Sequence, residues 1–568
     1  MTPLPVPGCT LHGGGADFAV WGPGLGRLAL LREKTGEALE MRRGADGFWT
    51  LRVEGFRPGE RYAYLPDGRG PFPDPASRFQ PEGVHSPSQA VDLSGYPWRY
   101  PNPPLPAPAR RSVYELHVGT FAPEGTFAAA ARRLPELRDL GVNLVEIMPV
   151  ADFPGSRNWG YDGVSIFAPA RCYGSPESLC ALVDEAHRLG LAVLLDVVYN
   201  HFGPDGNYTG VFSPGYFNPE RHTPWGAAIN FDGPGSEAVR AFFFANAVQW
   251  IRDYRFDGLR LDATHAILDG SEPHFLAELG EVARRAAGGR EILLHAEDHR
   301  NPARFMMPRE AGGYGLDGVW ADDLHHHLRR KVAGDSEGYY AHFDGRMANI
   351  ARTLERGWYR DGSEAEGPLS EGSDPDPLDY AAFVTCIQNH DQVGNRAMGD
   401  RLHHAVPPDV YRALSALLLL APETPLLFMG QEWACSSPFQ YFTDHNPELG
   451  RLVTEGRRKE FAGFFAFHDP ARRDAIPDPQ AEATFLRSRL EWGERARDPH
   501  ASTLAFYRAL LALRGGHGAL DSVRKGSMQV TPSGEDGLVL VREGSAGRLV
   551  CAVNFSRRGG FLDLALPG

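Results

Sequence analysis

Short apolar-rich runs, DFAVWG, LALL, FWTLRV and YAYL, fill the chain from Ala16 to Tyr64 between Gly, Pro and charged turns. Strands this short and this closely spaced predict a small β-sandwich. The pattern then lapses. PFPDPASRFQPEGVHSPSQAVD holds too much Pro and Ser for regular structure, and PWRYPNPPLPAPARR reads as a stiff, extended linker. A boundary near Ala109 is expected, with residues 1–110 as the first unit.

Beyond it the period changes. Ser112 to Val118 and Asn143 to Pro149 read as strands, and Ala128 to Leu140 has helical spacing apart from Pro135. A helix from Pro176 to Leu189 runs into a strand, Ala192 to Asp196. The alternation continues with helix Ser236 to Tyr254, strand Gly258 to Asp262, helix Pro273 to Ala286 and strand Ile292 to Glu297. Further strands are expected at Gly318 to Ala321, Phe383 to Gln388 and Pro425 to Met429. Apolar strands alternating with helices imply a parallel sheet covered on both faces. Eight of them from Val113 onward imply a closed (β/α)8 TIM barrel whose active site lies at the carboxyl ends of the strands.

Two excursions interrupt the alternation. His201 to Gly235, rich in Gly, Pro, Asn and aromatics, is assigned to function; Gly334 to Leu378, ending in the acidic stretch DGSEAEGPLSEGSDPDP, is assigned to mobility. Thr503 to Arg514 has helical spacing and is expected to close the barrel. SMQVTP, GLVLVRE, RLVCAVNFS and FLDLAL then predict a small C-terminal β-domain, and the abrupt end at LPG suggests a natural chain that continues. The fold class is thus multidomain α/β: an N-terminal β-sandwich, a central barrel over 111–517 and a C-terminal β-domain over 518–568.

Bulk properties narrow the function. The 568 residues are 42% hydrophobic and 23% charged, enough for a large core, and the net charge of −14 argues against nucleic acid or anionic membrane as the main partner. Six scattered cysteines form no CxxC or Cys/His cluster, so neither a zinc site nor a disulfide framework is indicated, and they read as reduced thiols. No leader-like segment opens the chain, and no run approaches the ~18 apolar residues of a membrane span. A cytoplasmic protein is the default expectation.

The stretch FDGLRLDATHAIL, Phe256 to Leu268, is where the strand pattern meets charge. Arg260 and Asp262, two apart, share one face of the expected strand, where a guanidinium keeps a carboxylate ionised as a nucleophile requires. An isolated Arg-x-Asp is more often a structural ion pair. This one is not isolated: Asp196 closes AVLLD ahead of Asn200 and His201, Glu297 closes ILLHAE, and Asp391 follows FVTCIQNH beside His390. Crowded carboxylates raise one another's pKa, so that one stays protonated as a general acid while another remains an anionic nucleophile. Glycoside hydrolysis uses that division, with the two groups about 5–5.5 Å apart in retaining enzymes and about 6.5–9.5 Å in inverting ones.

In order and spacing, DVVYNH at Asp196, GLRLD at Gly258, the Glu297 strand and NHD at Asn389 resemble the four signature segments of the α-amylase superfamily of glycoside hydrolases. The resemblance implies a retaining double displacement in which Asp262 is the nucleophile, Glu297 the acid/base and Asp391 the third carboxylate, gripping sugar hydroxyls. It implies that Arg260 keeps Asp262 ionised, that His201 and His390 hydrogen-bond the sugar in subsite −1, and that Tyr161 in NWGYD stacks on its face.

A narrower resemblance spans Pro73 to Trp492. PDPASRFQPEGVHSPSQ, YELHVGTFAPEGTF, FPGSRNWGYDG, AEDHRNP, WADDLHHHL, HDQVGNR, FMGQEWA, FTDHNPELG, EGRRKEF and PDPQAEATFLRSRLEW are similar to the maltooligosyltrehalose trehalohydrolase family. This implies cleavage of the α-1,4 bond adjoining a terminal trehalose, an N-terminal sandwich like that of branching and debranching enzymes, and a partner enzyme that makes the trehalose linkage. Many amylases carry Lys-His after the nucleophile, where this chain has His265 and Ala266, which suggests an altered aglycone side. Asp322, Asp323, His325 and His326 after the sixth strand, and Gln392 and Asn395 after the seventh, are expected to bind substrate there; alternatively Asp322 or Asp323 serves as a helix N-cap. The chemistry needs no cofactor. Some amylases hold a structural calcium near the residue matching Asn200, but no oxygen-ligand cluster is evident in the first excursion, so metal dependence is left open, leaning to none. The rival readings are a glucan-branching or debranching enzyme, against which DDLHH speaks, and a silent sugar-binding member, against which the three carboxylates speak.

Overall fold

A computed structural model describes residues 4–100, 103–364, 367, 370–464 and 467–556. Eight short buried strands form its centre: β1 (Val113–Leu116), β2 (Leu144–Ile147), β3 (Ala192–Val197), β4 (Gly258–Leu261), β5 (Leu293–Glu297), β6 (Gly318–Trp320), β7 (Phe383–Cys386) and β8 (Thr424–Phe428). They pair in chain order, all parallel, and β8 pairs back onto β1 to close the barrel. The expected eight-stranded barrel is therefore present, with each strand within a few residues of its expected place. The helices between are set by local chemistry: Thr126 accepts from Ala129 N to start Phe127–Leu140, and Ser175 accepts from Ser178 N, with Pro176 in the first turn, to start Pro176–Arg188. Pro135 lies inside its helix rather than ending it.

Register sets the level of the polar side chains. Asp196 lies opposite Arg260, Arg260 opposite His295, and Glu297 opposite Trp320, so the charged residues of β3, β4 and β5 meet at one end of the barrel. A Cβ at Gly258 would come within 2.0 Å of the Leu293 carbonyl oxygen, so only glycine lets β4 and β5 approach this closely below Arg260 and Glu297.

The N-terminal runs form two four-stranded sheets, one built around Gly15–Trp21 and Phe48–Glu54, the other around Leu28–Arg32 and Arg61–Pro66. Phe18, Leu30, Tyr62 and Tyr64 pack between them. Phe212 of the first excursion enters this cluster, and Trp21 meets Tyr216 at 5.3 Å, so the sandwich and that excursion stabilise each other. The excursion itself carries an antiparallel hairpin, Phe217–Thr223 with Gly226–Ile229. Three C-terminal strands, Met528–Ser533, Gly537–Gly544 and Gly547–Asn554, form an antiparallel sheet; the expected run FLDLAL lies outside the described residues.

The second excursion departs from expectation. Where described, it is tied down: it holds a helix, Met347–Arg356, and its acidic residues find arginines. Arg356 reaches Asp374 at 2.7 Å and Asp376 at 3.1 Å, Arg360 reaches Glu371 at 3.0 Å, and Trp358 Nε1 donates to the Ser373 carbonyl at 2.9 Å. A run of acids reads as solvated only while its cationic partners, here well upstream in the chain, are out of view.

Candidate active site

Arg260, 0% exposed, organises the carboxyl end of the barrel. Its Nη1 donates to Asp196 Oδ2 and to Asp262 Oδ1, both at 2.7 Å, and its Nη2 lies 2.9 Å from Glu297 Oε2 in an ion contact without hydrogen-bond geometry. The guanidinium lies over the Trp320 ring at 4.2 Å, which excludes water from its other face. After β4 the chain turns through Ala263 in a left-handed conformation, φ 40°, which directs its N–H to Glu297 Oε2 at 2.8 Å. After β7, Asn389 caps a short helix by accepting from Gln392 N and brings up His390 and Asp391.

The carboxyls titrate as one group. Burial raises Asp262 well above the usual carboxylate range; Arg260 opposes this, and Glu297, Asp196 and Asp391 reinforce it. Asp391 is also raised, by burial and by Glu297, against His390 and Arg260. Burial raises Glu297 too, but Arg260, the Ala263 N–H and His390 outweigh it and leave Glu297 lowered. Burial and mutual repulsion thus oppose full ionisation of these carboxyls, and Arg260 is the cation they share.

The cleft above this group has a volume of about 490 Å³. It gathers eight of the expected residues, Tyr161, His201, Asp262, His265, Glu297, His390, Asp391 and Asn395, with Arg260 behind them. Tyr161 donates to Asp196 Oδ2 at 2.6 Å and stacks on His390 at 5.1 Å, so its ring is already engaged on one face. His201 donates from Nε2 to the Tyr161 carbonyl at 3.0 Å, and burial lowers its pKa. Asn395 Nδ2 donates to Asp391 Oδ1 at 3.0 Å. Gln392 Oε1 accepts from Tyr339 at 3.1 Å. Asp322, part-buried and not among the residues that line the cleft, is pushed up to about 7 by burial and by the charges of Glu297, Asp391 and Asp323.

Asp323, His325 and His326 are not in the cleft. Asp323 is 1% exposed, and its carboxylate is saturated: it accepts from Asn301 Nδ2 at 2.8 Å, from the N–H groups of Tyr359 and Arg360 at 2.9 Å, and from the Arg360 guanidinium at 3.1 Å. It clamps the second excursion onto the barrel. His325 and His326 are buried against each other under Tyr340 and Phe343, and burial lowers the pKa of both, His326 to about 3. Asp322, the residue before the helix Asp323–Ala333, makes no side-chain cap bond.

Several residues in or beside the cleft escaped sequence reasoning. Trp225, 46% exposed, stacks on His201 at 5.2 Å from the tip of the hairpin. Tyr339, 47% exposed, is outside the lining; it donates to Gln392 and packs on His326 at 4.9 Å. The helix Pro447–Glu460 forms one wall, with Arg457 over the Tyr441 ring at 5.4 Å and donating to the Gly394 carbonyl at 2.6 Å. A lone Trp in the turn-like TPWG carries a usable signal, since a turn gives a large ring no core to fill; the other two have none. Among the described residues no group of three or more His, Cys, Asp or Glu is arranged to hold a metal ion, and calcium asks for about six to eight oxygens. The Asn200 amide is buried with neither its oxygen nor its nitrogen hydrogen-bonded to the protein.

Similarity to known proteins agrees with this geometry. The family model described as alpha amylase, catalytic domain, matches residues 94–212. The malto-oligosyltrehalose trehalohydrolase of Deinococcus radiodurans is 46% identical over 90% of this chain and 82% of its own length. A crystal structure of a candidate alpha amylase from Salmonella typhimurium superposes with a TM-score of 0.92 at 39% identity, covering 99% of this chain and 95% of that one. A 1,4-alpha-glucan branching enzyme of Streptomyces coelicolor is 32% identical over only 54% of this chain and 46% of its own.

Proposed function

The chain belongs to the malto-oligosyltrehalose trehalohydrolases, within the α-amylase superfamily, and from that membership we propose how its cleft works. It is a retaining glycoside hydrolase that cleaves the α-1,4 bond next to the terminal trehalose of maltooligosyl trehalose and releases trehalose. The observation that carries the reading is the sharing of one guanidinium by Asp262 and Glu297. Two carboxyls within the span of a single Arg260 fit the close separation of a double displacement, about 5–5.5 Å, better than the wider gap that must admit a water between them.

Asp262 attacks the anomeric carbon, Glu297 protonates the leaving oxygen and then activates water, and Asp391, held by Asn395, grips the sugar hydroxyls. The reacting state carries a proton on Glu297 and the negative charge on Asp262, and positive charge growing on the sugar beside Asp262 favours that arrangement. The ion contact from Arg260 to Glu297, already outside hydrogen-bond geometry, is the one most readily given up. Asp322, Gln392 and His265 are assigned to the aglycone side with Trp225 and Tyr339.

The enzyme acts after one that forms the terminal trehalose linkage, in a route from glucan to trehalose. We assign it to the cytoplasm, where its six free thiols persist reduced. Among the described residues no helix is long and apolar enough to cross a membrane. The test is product chromatography after incubation with maltotriosyl trehalose and, separately, maltopentaose. Free trehalose from the first with slow cleavage of the second is expected; equal cleavage of both sinks trehalose specificity, and longer or branched products sink hydrolysis.

A further inference from the structure

Glu115 closes β1 one level below the cleft, opposite Glu146 on β2 and Phe428 on β8. It is 1% exposed and does not line the cleft, so no sugar reaches it. Its two oxygens are both spent on one residue. Oε2 accepts from the backbone N–H of His390 at 3.0 Å, and Oε1 accepts from His390 Nδ1 at 2.5 Å. Held in this way, the imidazole presents Nε2 to the Tyr161 hydroxyl at 2.8 Å and to Asp391 Oδ1 at 3.5 Å.

Proton counting fixes the charge. Tyr161 has one hydroxyl proton, and it goes to Asp196 at 2.6 Å, so toward His390 its oxygen is an acceptor. Both ring nitrogens of His390 therefore face acceptors, and only the doubly protonated ring satisfies both.

We propose that Glu115 is a positioning residue for the hydrolysis: from beneath the cleft it holds His390 as an imidazolium, whose Nε2–H fixes Tyr161 and Asp391 in their working places. The inference deepens the hydrolase reading and rests on it.

The surrounding charges agree. Burial alone would lower His390, but Glu115 and Asp391 raise it to about 9, with Arg260 of β4 opposing. Asp196 of β3, raised by burial against Arg260, and Glu297 of β5, lowered by Arg260 against burial, also face it, both in contact with Arg260. Glu146 of β2, buried with neither oxygen hydrogen-bonded, is raised well above the carboxylate range by burial and by Glu115, and so adds no charge. His117, just past β1, is lowered to about 4 by burial and is neutral. Glu115 is thus the group that decides whether His390 is charged.

The test is the ratio of kcat/KM on maltotriosyl trehalose, parent over E115Q, followed from about pH 5 to about pH 9. Gln keeps an acceptor for His390 but removes the charge, so His390 falls back to its ordinary pKa of about 6.5 or below. Loss of the imidazolium also lets the Glu297 pKa rise, because His390 is one of the groups that lower it, and the ratio follows both changes together. The ratio is expected near one at the acid end and at least about tenfold near pH 8. A ratio constant with pH, whatever its size, makes Glu115 a structural residue only and overturns the proposal. Should E115Q not fold, the ratio of parent to H390N serves: it is expected flat to about pH 8 and falling above it, as the parent's own imidazolium deprotonates. A ratio that stays flat overturns the proposal. A parent that releases no trehalose removes the hydrolase reading together with this one; a parent that releases it at a pH-independent ratio removes only this one.

Discussion

At the floor of the cleft, Arg260 and its three carboxylates stand on neighbouring strands whose register brings them level, whereas at the rim Trp225, Tyr339 and Arg457 arrive on three segments remote from one another in the chain. The floor is held together by electrostatics in a buried layer, at the expense of crowding like charges. The segment that carries Tyr339 is held by clamps outside the cleft, such as Asp323 with Arg360. The contrast teaches where function and stability reside. Floor residues are strained toward chemistry, and rim residues depend on partners that never touch a sugar.

The largest effect should separate the two. Asp262→Ala is expected to remove trehalose release by more than the roughly 10²–10⁴-fold that loss of an acid/base group costs. Its melting temperature should hold or rise, since one crowded carboxyl is gone from a group that raises its own pKa values. Initial rates and thermal unfolding on the same preparation decide it; a marked fall in melting temperature would mean that the floor, too, is built for stability.

Asp323→Ala is the reciprocal change at the rim. It strands a part-buried Arg360 and two backbone N–H groups, and breaking a buried pair from one side costs about 3–5 kcal/mol. Urea unfolding should register that loss, while the kcat of the protein that remains folded changes little. An unaltered midpoint with lost activity would return Asp323 to the cleft.

The same contrast explains what could be read from the chain. Asp196, Arg260, Asp262 and Glu297 were legible because strands impose period two and the barrel puts their carboxyl ends in one place. His325 and His326 misled because a helix turns its residues away every 100° or so, and their position after a strand says nothing about which turn faces the site. Tyr339 was invisible because the excursion that carries it, where described, owes its order to pairs such as Arg356 with Asp374, which no local pattern announces. The hydrogen bond from the Ala263 N–H to Glu297 was out of reach for a related reason: it depends on a left-handed backbone at Ala263.

A smaller effect tests the rim as a binding surface. Trp225→Ala should leave stability within about 0.5 kcal/mol, as for an exposed side chain. It should raise KM by up to about tenfold with kcat nearly unchanged, the size of a lost aromatic contact. Steady-state kinetics on maltotriosyl trehalose would reveal this; an unchanged KM would leave Trp225 as a lid for His201 and nothing more.

Asp322 stands between floor and rim, and its pH dependence should be the smallest and most discriminating effect. Burial, with Glu297, Asp391 and Asp323, lifts it from an ordinary 3.8 to about 7, while Arg260 opposes. Between those values the folded protein binds more protons at this site than the unfolded chain, so its contribution to stability falls as pH rises from about 4 to about 7. Asn cannot titrate. Asp322→Asn should therefore match the parent near pH 4 and exceed it near pH 8, with the difference in unfolding free energy growing between them. Urea titrations of both proteins at the two pH values give that difference, which includes the response of Glu297, Asp391 and Asp323 to the lost charge. A difference that does not change with pH would detach Asp322 from the carboxylates of the floor and leave it as the first residue of a rim helix.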